Sequence, residues 1–354
     1  MNHFTSFSPH FSFYAGLEVL LHQQSLFVVS PFAIISALLL QSPTKGCTVT
    51  YVRRKLAEIS AFATQLGLRV SDGGGDASST PSSADDVVGR HLRLHAHSVQ
   101  VDAGGRLRPK IVESGAESSI FDSRLLAQAS RIVELSIYRN QMLHFFVDAS
   151  LVVRILSSAS GGIDVDTLAV KHEKLRRLLN PDFLFAPEYL PNLLSSAVDA
   201  LAANSIVVAS ESSPTYLTLD VDHPLTEFLD HLLSPFLQTY YLAFHYLREV
   251  SLLAPLRDPK SNAKLCQEKI LNLMTDRGLA QFDMLSLDTL ANASTTLLLN
   301  GIARKSKEPS RVNCLEIVDI TSLEEAEAFL REFVSPEYVV SELDLHAVVP
   351  KAKL

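Results

Sequence analysis

Residues 123–159, SRLLAQASRIVELSIYRNQMLHFFVDASLVVRILSSA, constrain the fold more than any other stretch. The spacing is helical, and the segment is apolar enough to be buried on more than one face. Such a helix has to be wrapped by other elements. Residues 223–250, HPLTEFLDHLLSPFLQTYYLAFHYLREV, give the longest helical pattern, with Leu225, Phe228, Leu232, Pro235, Phe236, Tyr240 and Phe244 on its core side. Pro235 predicts a kink there, or a split into two helices. Amphipathic helices are also predicted over 49–66 (Val52, Leu56, Ile59, Phe62 and Leu66 inward), 165–179, ending before Pro181, and 190–204. Two more fall at about 262–278 and 283–302, and a last one is capped by Ser322 and Glu325 and runs through Phe333. The expected fold is mainly α, a multi-helix bundle with a few short hairpins and strands.

At 47% hydrophobic and 20% charged residues over 354 positions, the chain has enough apolar surface for a sizeable core. Its net charge of −8 argues against a nucleic-acid partner, which would need a basic face to neutralise phosphates. Cys47, Cys266 and Cys314 are scattered and lack CxxC spacing, so neither a disulfide framework nor a zinc site is expected. The most apolar run, residues 25–41, is short for a membrane span and is interrupted by Pro31. It reads instead as a short strand entry, Ser30 as N-cap and Pro31 at the first helical position. The N-terminus lacks the basic region of a secretory signal.

Residues 1–14 match no pattern, 15–70 form a helical start, and SDGGGDASSTPSSADD (71–86) is a solvated linker without the GK[ST] of a phosphate cradle. A helix restarts behind Ser83 and Asp86, placing Val88, His91, Leu92, His95 and Val99 on one stripe. DAGG (102–105) turns the chain into a strand over 106–112, which Pro109 should keep at an edge. The body, 87–335, carries a hairpin near 205–221, and 313–318 is a further strand. The hairpin after helix 190–204 is similar to a winged-helix wing, but the acidic chain speaks against DNA. Residues 336–354 read as an exposed tail.

The candidate chemistry is sparse. HSVQVD (97–102) contains a His-x-x-x-x-Asp pair, His97 and Asp102, the arrangement in which an imidazole takes a proton from an attacking hydroxyl. On a helix the two would be about 140° apart, and on a strand they would lie on opposite faces. We read the pair as a decoy and expect no catalytic residue in this chain. His91 and His95 share a helical face, but a third metal ligand is not evident. Arg53-Arg54-Lys55 and Arg176-Arg177 read as solvated faces, and RKSKEPSR (304–311) as a basic loop able to meet a phosphate or a lipid headgroup. The C-terminal Ala352, Lys353 and Leu354 form a small–basic–leucine ending, a variant of the S-K-L peroxisomal address read by an import receptor.

Several stretches resemble the C-terminal half of the glycerol-3-phosphate/dihydroxyacetone-phosphate acyltransferase family, from about residue 15 onward. ELSIYRNQMLHFFVDASLVVRIL (134–156) carries Tyr138, Arg139, Asn140, Leu143 and Phe146 at matching positions. VVSPFAIISALLLQ (28–41), LRRLLNPDFLFAPE (175–188) and FLDHLLSPFLQTYYLAFHYL (228–247) follow in family order. YRNQ, the FLF stretch and the AKL ending favour the peroxisomal dihydroxyacetone-phosphate branch. That branch transfers an acyl group from acyl-CoA, the co-substrate, to dihydroxyacetone phosphate, opening ether-lipid synthesis on the matrix side of the peroxisomal membrane.

The resemblance implies as partners an acyltransferase catalytic domain, an import receptor, alkyl-dihydroxyacetone-phosphate synthase and a peripheral membrane contact. It implies no cofactor bound by this chain. The family's upstream motifs, including Glu-Gly-Thr-Arg, do not occur here, so the α/β catalytic domain is expected to be missing and the chain alone to be inactive. Tyr138, Arg139 and Asn140 are then polar groups at a helix start that orient packed helices, or, through Arg139, contacts to substrate phosphate. Two alternatives stay open: the glycerol-3-phosphate branch, and a non-catalytic peroxisomal interaction protein.

Overall fold

The structure, a computed structural model, describes residues 28–71, 84–111, 123–159, 161–183, 185, 190–210, 213–308 and 313–340. Polar side chains at helix starts set much of its punctuation. Ser30 accepts from Phe32 N and starts α1 (Pro31–Gln41), with Pro31 in the first turn as the sequence predicts. Thr48 likewise caps α2 (Val49–Gln65), whose buried Val52, Leu56, Ile59 and Phe62 are the expected stripe. The two-residue strands β1 (Val28–Val29), β2 (Cys47–Thr48) and β3 (Arg69–Val70) precede, separate and follow these helices, and β1 pairs in parallel with β3.

The helix α3 (Ala84–Leu94) stops earlier than its apolar stripe suggests. His95 lies in the turn that follows, and Val99 belongs to β4 (Val99–Val101). The alternating valines pair there with β5 (Arg106–Pro109), and ladder hydrogen bonds replace the helical ones. β5 is the centre of a three-stranded sheet, in the order β2–β5–β4, and not an edge. Pro109 is tolerated because β2 pairs only with Arg106 and Leu107, which leaves the proline at the strand end opposite Val99.

At the centre stand α4 (Ser123–Ser158) and α7 (Thr226–Leu253). With no glycine or proline to interrupt it, α4 runs 36 residues, about 54 Å at the standard rise. α1 packs along one side of it and α7 along another. Tyr240, Tyr241, Leu242, Ala243, Phe244 and His245 are buried in succession, so α7 is enclosed on all sides over this stretch. Pro235 neither ends nor splits it. An interior proline costs about 3 kcal/mol, a cost offset here by the burial of nearly every residue from Thr226 to Leu247.

Around this pair lie α5 (Val165–Leu179), α6 (Leu190–Ala203), α8 (Pro259–Arg277), α9 (Leu287–Leu299) and α10 (Ile320–Arg331), with a 3-10 turn over Phe282–Leu285. β6 (Ile163–Asp164), β8 (Ser213–Leu219) and β7 (Val207–Ser210) form a second antiparallel sheet containing the expected hairpin. β9 (Ala303–Lys305) pairs with β10 (Leu315–Ile317). The molecule is mainly α with minor β, and one apolar core runs from Val29 to Val340. Among the described residues, no helix is long and apolar enough to cross a membrane.

The cap of α10 is Asp319, three residues before the expected Ser322; it accepts from Ser322 N at 2.9 Å and from the Ser322 hydroxyl at 2.7 Å. Asp319→Ala should therefore lower stability by about 1 kcal/mol in urea unfolding, whereas Ser322→Ala should cost less. Residues 336–340, expected to be exposed, are anchored. Tyr338 and Val340 are buried, Val340 N donates to the Tyr241 hydroxyl, and Arg277 donates to the carbonyls of Glu337 and Val339. The aromatic ring of Tyr338 draws this stretch onto the body.

Candidate functional site

A cleft of about 700 Å³ opens between α4, α7, the 3-10 turn and the start of α9. Val133, Ile137, Arg139 and Asn140 of α4 form one wall, Phe236 and Thr239 of α7 the floor, and Phe282, Asp283, Asp288 and Thr289 the opposite wall. Arg139 and Asn140 lie deep within α4, not at a helix start, because the helix begins far upstream at Ser123. Successive helical residues turn by about 100°, so Tyr138 leaves the side that Arg139 and Asn140 share. Tyr138 faces away from the cleft, edge-on to Phe32 and His95.

Arg139 is held on several sides. Its Nη1 donates to Asp283 Oδ2 at 2.6 Å, its Nε and Nη2 donate to Asn140 Oδ1 at 3.1 and 2.9 Å, and its guanidinium lies over the Phe236 ring. Both charged side chains of the pair are almost fully buried, at 4% and 2% exposure. Asp283 thus matches the charge of Arg139, and the exposed Asp288 adds a negative charge at the rim. The cleft is lined more by apolar than by polar surface, with a slight acidic balance from Asp283 and Asp288 against Arg139.

Behind it, Asp182 accepts from the Tyr240 hydroxyl at 2.5 Å and from Asn292 Nδ2 at 3.0 Å. Burial pushes its carboxyl up to about 6, against the hydrogen bonds from Tyr240, Asn292 and Thr289. Burial also raises the Tyr240 phenol, with the Asp182 charge adding to it. Since Thr289 lines the cleft as well, this network clamps the end of α5 to α7 and α9 directly beneath it.

Two of the basic runs read as solvated are partly internal. Lys55 is buried, donating to the carbonyl of Pro224 and pairing with Glu58 at 3.2 Å. Arg176 is buried between Asp148, at 3.2 Å, and the Phe185 ring, while His172 meets the same Asp148 oxygen at 3.1 Å. Both cations sit on helix faces that turn inward, where a carboxylate or a carbonyl compensates them.

His97 and Asp102 have different partners. His97 Nε2 lies 3.5 Å from Glu134 Oε1 at the end of the α3 turn. Asp102 accepts from the amides of Gly104 and Arg106 and pairs with Arg108, so it organises the β4–β5 turn. Those amide bonds, Arg106 first, hold its carboxyl below the ordinary aspartate range. His95 stacks on Phe32 and neighbours His91 and His97. Burial lowers both His91 and His95. Among the described residues, no group of three or more His, Cys, Asp or Glu is arranged to hold a metal ion. Arg304 of the basic loop pairs with Glu316 across β9 and β10; 309–312 and the Ala352–Leu354 ending lie outside the described residues. The sequence reading missed Asp182 and Asp283, whose partners sit far along the chain. The only signal was that Asp182 falls inside the family-like LRRLLNPDFLFAPE stretch.

The chain belongs to the family described as the glycerol-3-phosphate acyltransferase C-terminal region, whose model matches residues 13–306. Among similar proteins are two dihydroxyacetone phosphate acyltransferases. The one from Homo sapiens is 27% identical over 305 residues, covering 84% of this chain and 42% of that protein. The one from Oryctolagus cuniculus is 25% identical over 296 residues, covering 79% and 39%. The chain therefore spans about two-fifths of the length of these relatives.

Proposed function

We propose that this chain is the C-terminal body of a dihydroxyacetone-phosphate O-acyltransferase, which moves an acyl group from acyl-CoA to dihydroxyacetone phosphate and so opens ether-lipid synthesis. The observation that carries this reading is the family match over most of the chain, together with relatives of that name. The body packs against an acyltransferase domain and stabilises it, and it has no acid–base pair of its own. The separate engagements of His97 and Asp102 support that part. Arg139 acts structurally, since its donors are already committed to Asp283 and Asn140. The enzyme works on the matrix side of the peroxisomal membrane, where alkyl-dihydroxyacetone-phosphate synthase would take its product; the likeness to proteins named dihydroxyacetone phosphate acyltransferase supports that setting.

The test is a chimera of the human relative in which this chain replaces the region it matches. With labelled acyl-CoA and dihydroxyacetone phosphate, the chimera should form product, and His97→Ala should leave its rate unchanged. The 354-residue chain alone should give no product above a heat-killed control. Product from the chain alone that disappears with His97→Ala would overturn the assignment.

A further inference from the structure

Three histidines meet where the end of α3 lies against α1 and α4. The His95 ring lies flat on Phe32, with centroids 3.5 Å apart, and edge-on to Tyr138. The His91 ring is 6.2 Å from it and the His97 ring 5.9 Å. Both ring nitrogens of His91 and the Nδ1 of His95 are shut off from solvent, with no hydrogen-bond partner among the described residues. A neutral ring in such a place leaves one donor unmet; an imidazolium leaves two and adds a charge.

The surroundings do little to compensate that charge. α1 carries no ionisable side chain. α2 brings Arg53, Arg54 and Lys55, and its one acid, Glu58, pairs with the last two. α4 offers Glu134, which already pairs with Arg131, accepts from the Ser98 hydroxyl and lies 3.5 Å from His97 Nε2. α3 itself carries Arg90 and Arg93 beside His91, while Asp85 and Asp86 stand at its other end. Behind β5, Lys110 Nζ donates to the Ala96 carbonyl in the same turn, and Asp102 of the β4–β5 turn pairs with Arg108. The carbonyl end of α3 and the Phe32 face do favour a cation. Burial outweighs them and holds both His91 and His95 below the ordinary histidine value. Arg90 adds to this for His91; His91 and His97 add to it for His95, against Glu134.

We propose that His91 and His95 are an acid-operated latch: when both rings take up protons, the unit over residues 84–111 swings off α1 and α4 while the rest of the body keeps its fold. The unit is lightly held. Among the described residues its buried hydrophobic side chains are Val87, Val88, Val99 and Leu107. Its polar ties are the Glu134 contacts, the Arg131 bond to the Lys110 carbonyl, the Arg106 bonds to the carbonyls of Lys45 and Gly46, and the two-residue pairing of β5 with β2. Elements held by so few contacts open locally before the whole molecule does. The closed state binds protons at these two rings less well than the open one. It is therefore favoured above the ordinary histidine value and loses ground as pH falls through it. Opening uncovers Phe32 and the Tyr138 side of α4. The latch requires nothing of the acyltransferase assignment.

Amide hydrogen exchange of the purified 354-residue chain tests it, read by mass spectrometry at about pH 7.5 and about pH 5.5 and corrected for the intrinsic pH dependence of exchange. Residues 84–111 should be less protected than 142–156 at both values. Between them, protection of 84–111 should fall about tenfold or more. His91→Gln/His95→Gln, whose side chains do not titrate, should remove most of that fall. Each single variant should remove about half of it on a logarithmic scale, which preserves the test if the double variant folds poorly. His97→Gln, whose imidazole faces Glu134, should leave the fall in place. A fall that persists undiminished in the double variant would overturn the proposal. Equal protection of 84–111 and 142–156 at both pH values would overturn it too, since the unit would then open only with the whole molecule.

Discussion

Asp283→Ala is expected to cost about 3–5 kcal/mol of unfolding free energy. The substitution leaves the Arg139 guanidinium buried beside Phe236 with only the Asn140 carbonyl oxygen to compensate it. Arg139→Ala should cost a similar amount, because it strands the opposite charge. Arg139→Lys keeps the charge but loses the fork that reaches Asp283 and Asn140 together, and should cost about half as much. The double variant Arg139→Met/Asp283→Leu removes both charges and should recover most of the loss. Urea unfolding midpoints at constant slope provide the measurement. Single variants within about 0.5 kcal/mol of wild type would refute the structural role and return Arg139 to the reading in which it contacts substrate phosphate.

The second large effect is a pH dependence. Folding raises Asp182 from the ordinary aspartate value to about 6 through burial, so the native state holds its proton more tightly than the unfolded chain. Its contribution is fully present below pH about 4 and is lost as pH rises through about 6. The shift is worth about 3 kcal/mol. Asp182→Asn carries no titrating group, so its stability relative to wild type should rise by about that amount between pH 4 and pH 7. The comparison has to be a difference between the two proteins, because His91 and His95 act in the opposite sense. Burial lowers both, so their contribution is lost as pH falls below the ordinary histidine value. A difference that stays flat from pH 4 to pH 7 would show that Asp182 is solvated in the native state.

Much of the helical framework was legible from local chemistry. Ser30 and Pro31 mark the start of α1, and α5 occupies the expected 165–179. Those signals belong to a single segment, and a periodicity or a cap needs no partner to be read. What could not be read was set between segments. Asp283 lies 144 residues from Arg139, and Tyr240 lies 58 from Asp182, so no spacing rule connects them. Lys55 and Arg176 looked solvated because charge usually marks a surface, yet each found a partner on another element, the Pro224 carbonyl for Lys55 and Asp148 for Arg176. Pro109 misled for a related reason. A proline bars a strand from the sheet centre only where both neighbours reach it, and β2 is too short to do so.

The position of α4 in the chain has a consequence for how the molecule opens. The helix lies near the middle of the sequence, yet α1 from one end of the described chain and α7 from the later half pack along it. Arg154 ties it further to Asp230 and to the Phe333 carbonyl beyond α10. Neither flank can peel away without uncovering Phe146, Leu151 and Val152. The amide hydrogens of residues 142–156 should therefore exchange with solvent only through global opening, with one shared protection factor, while the β9–β10 ribbon exchanges through cheaper local openings. In such a body, early and late segments melt as one cooperative unit.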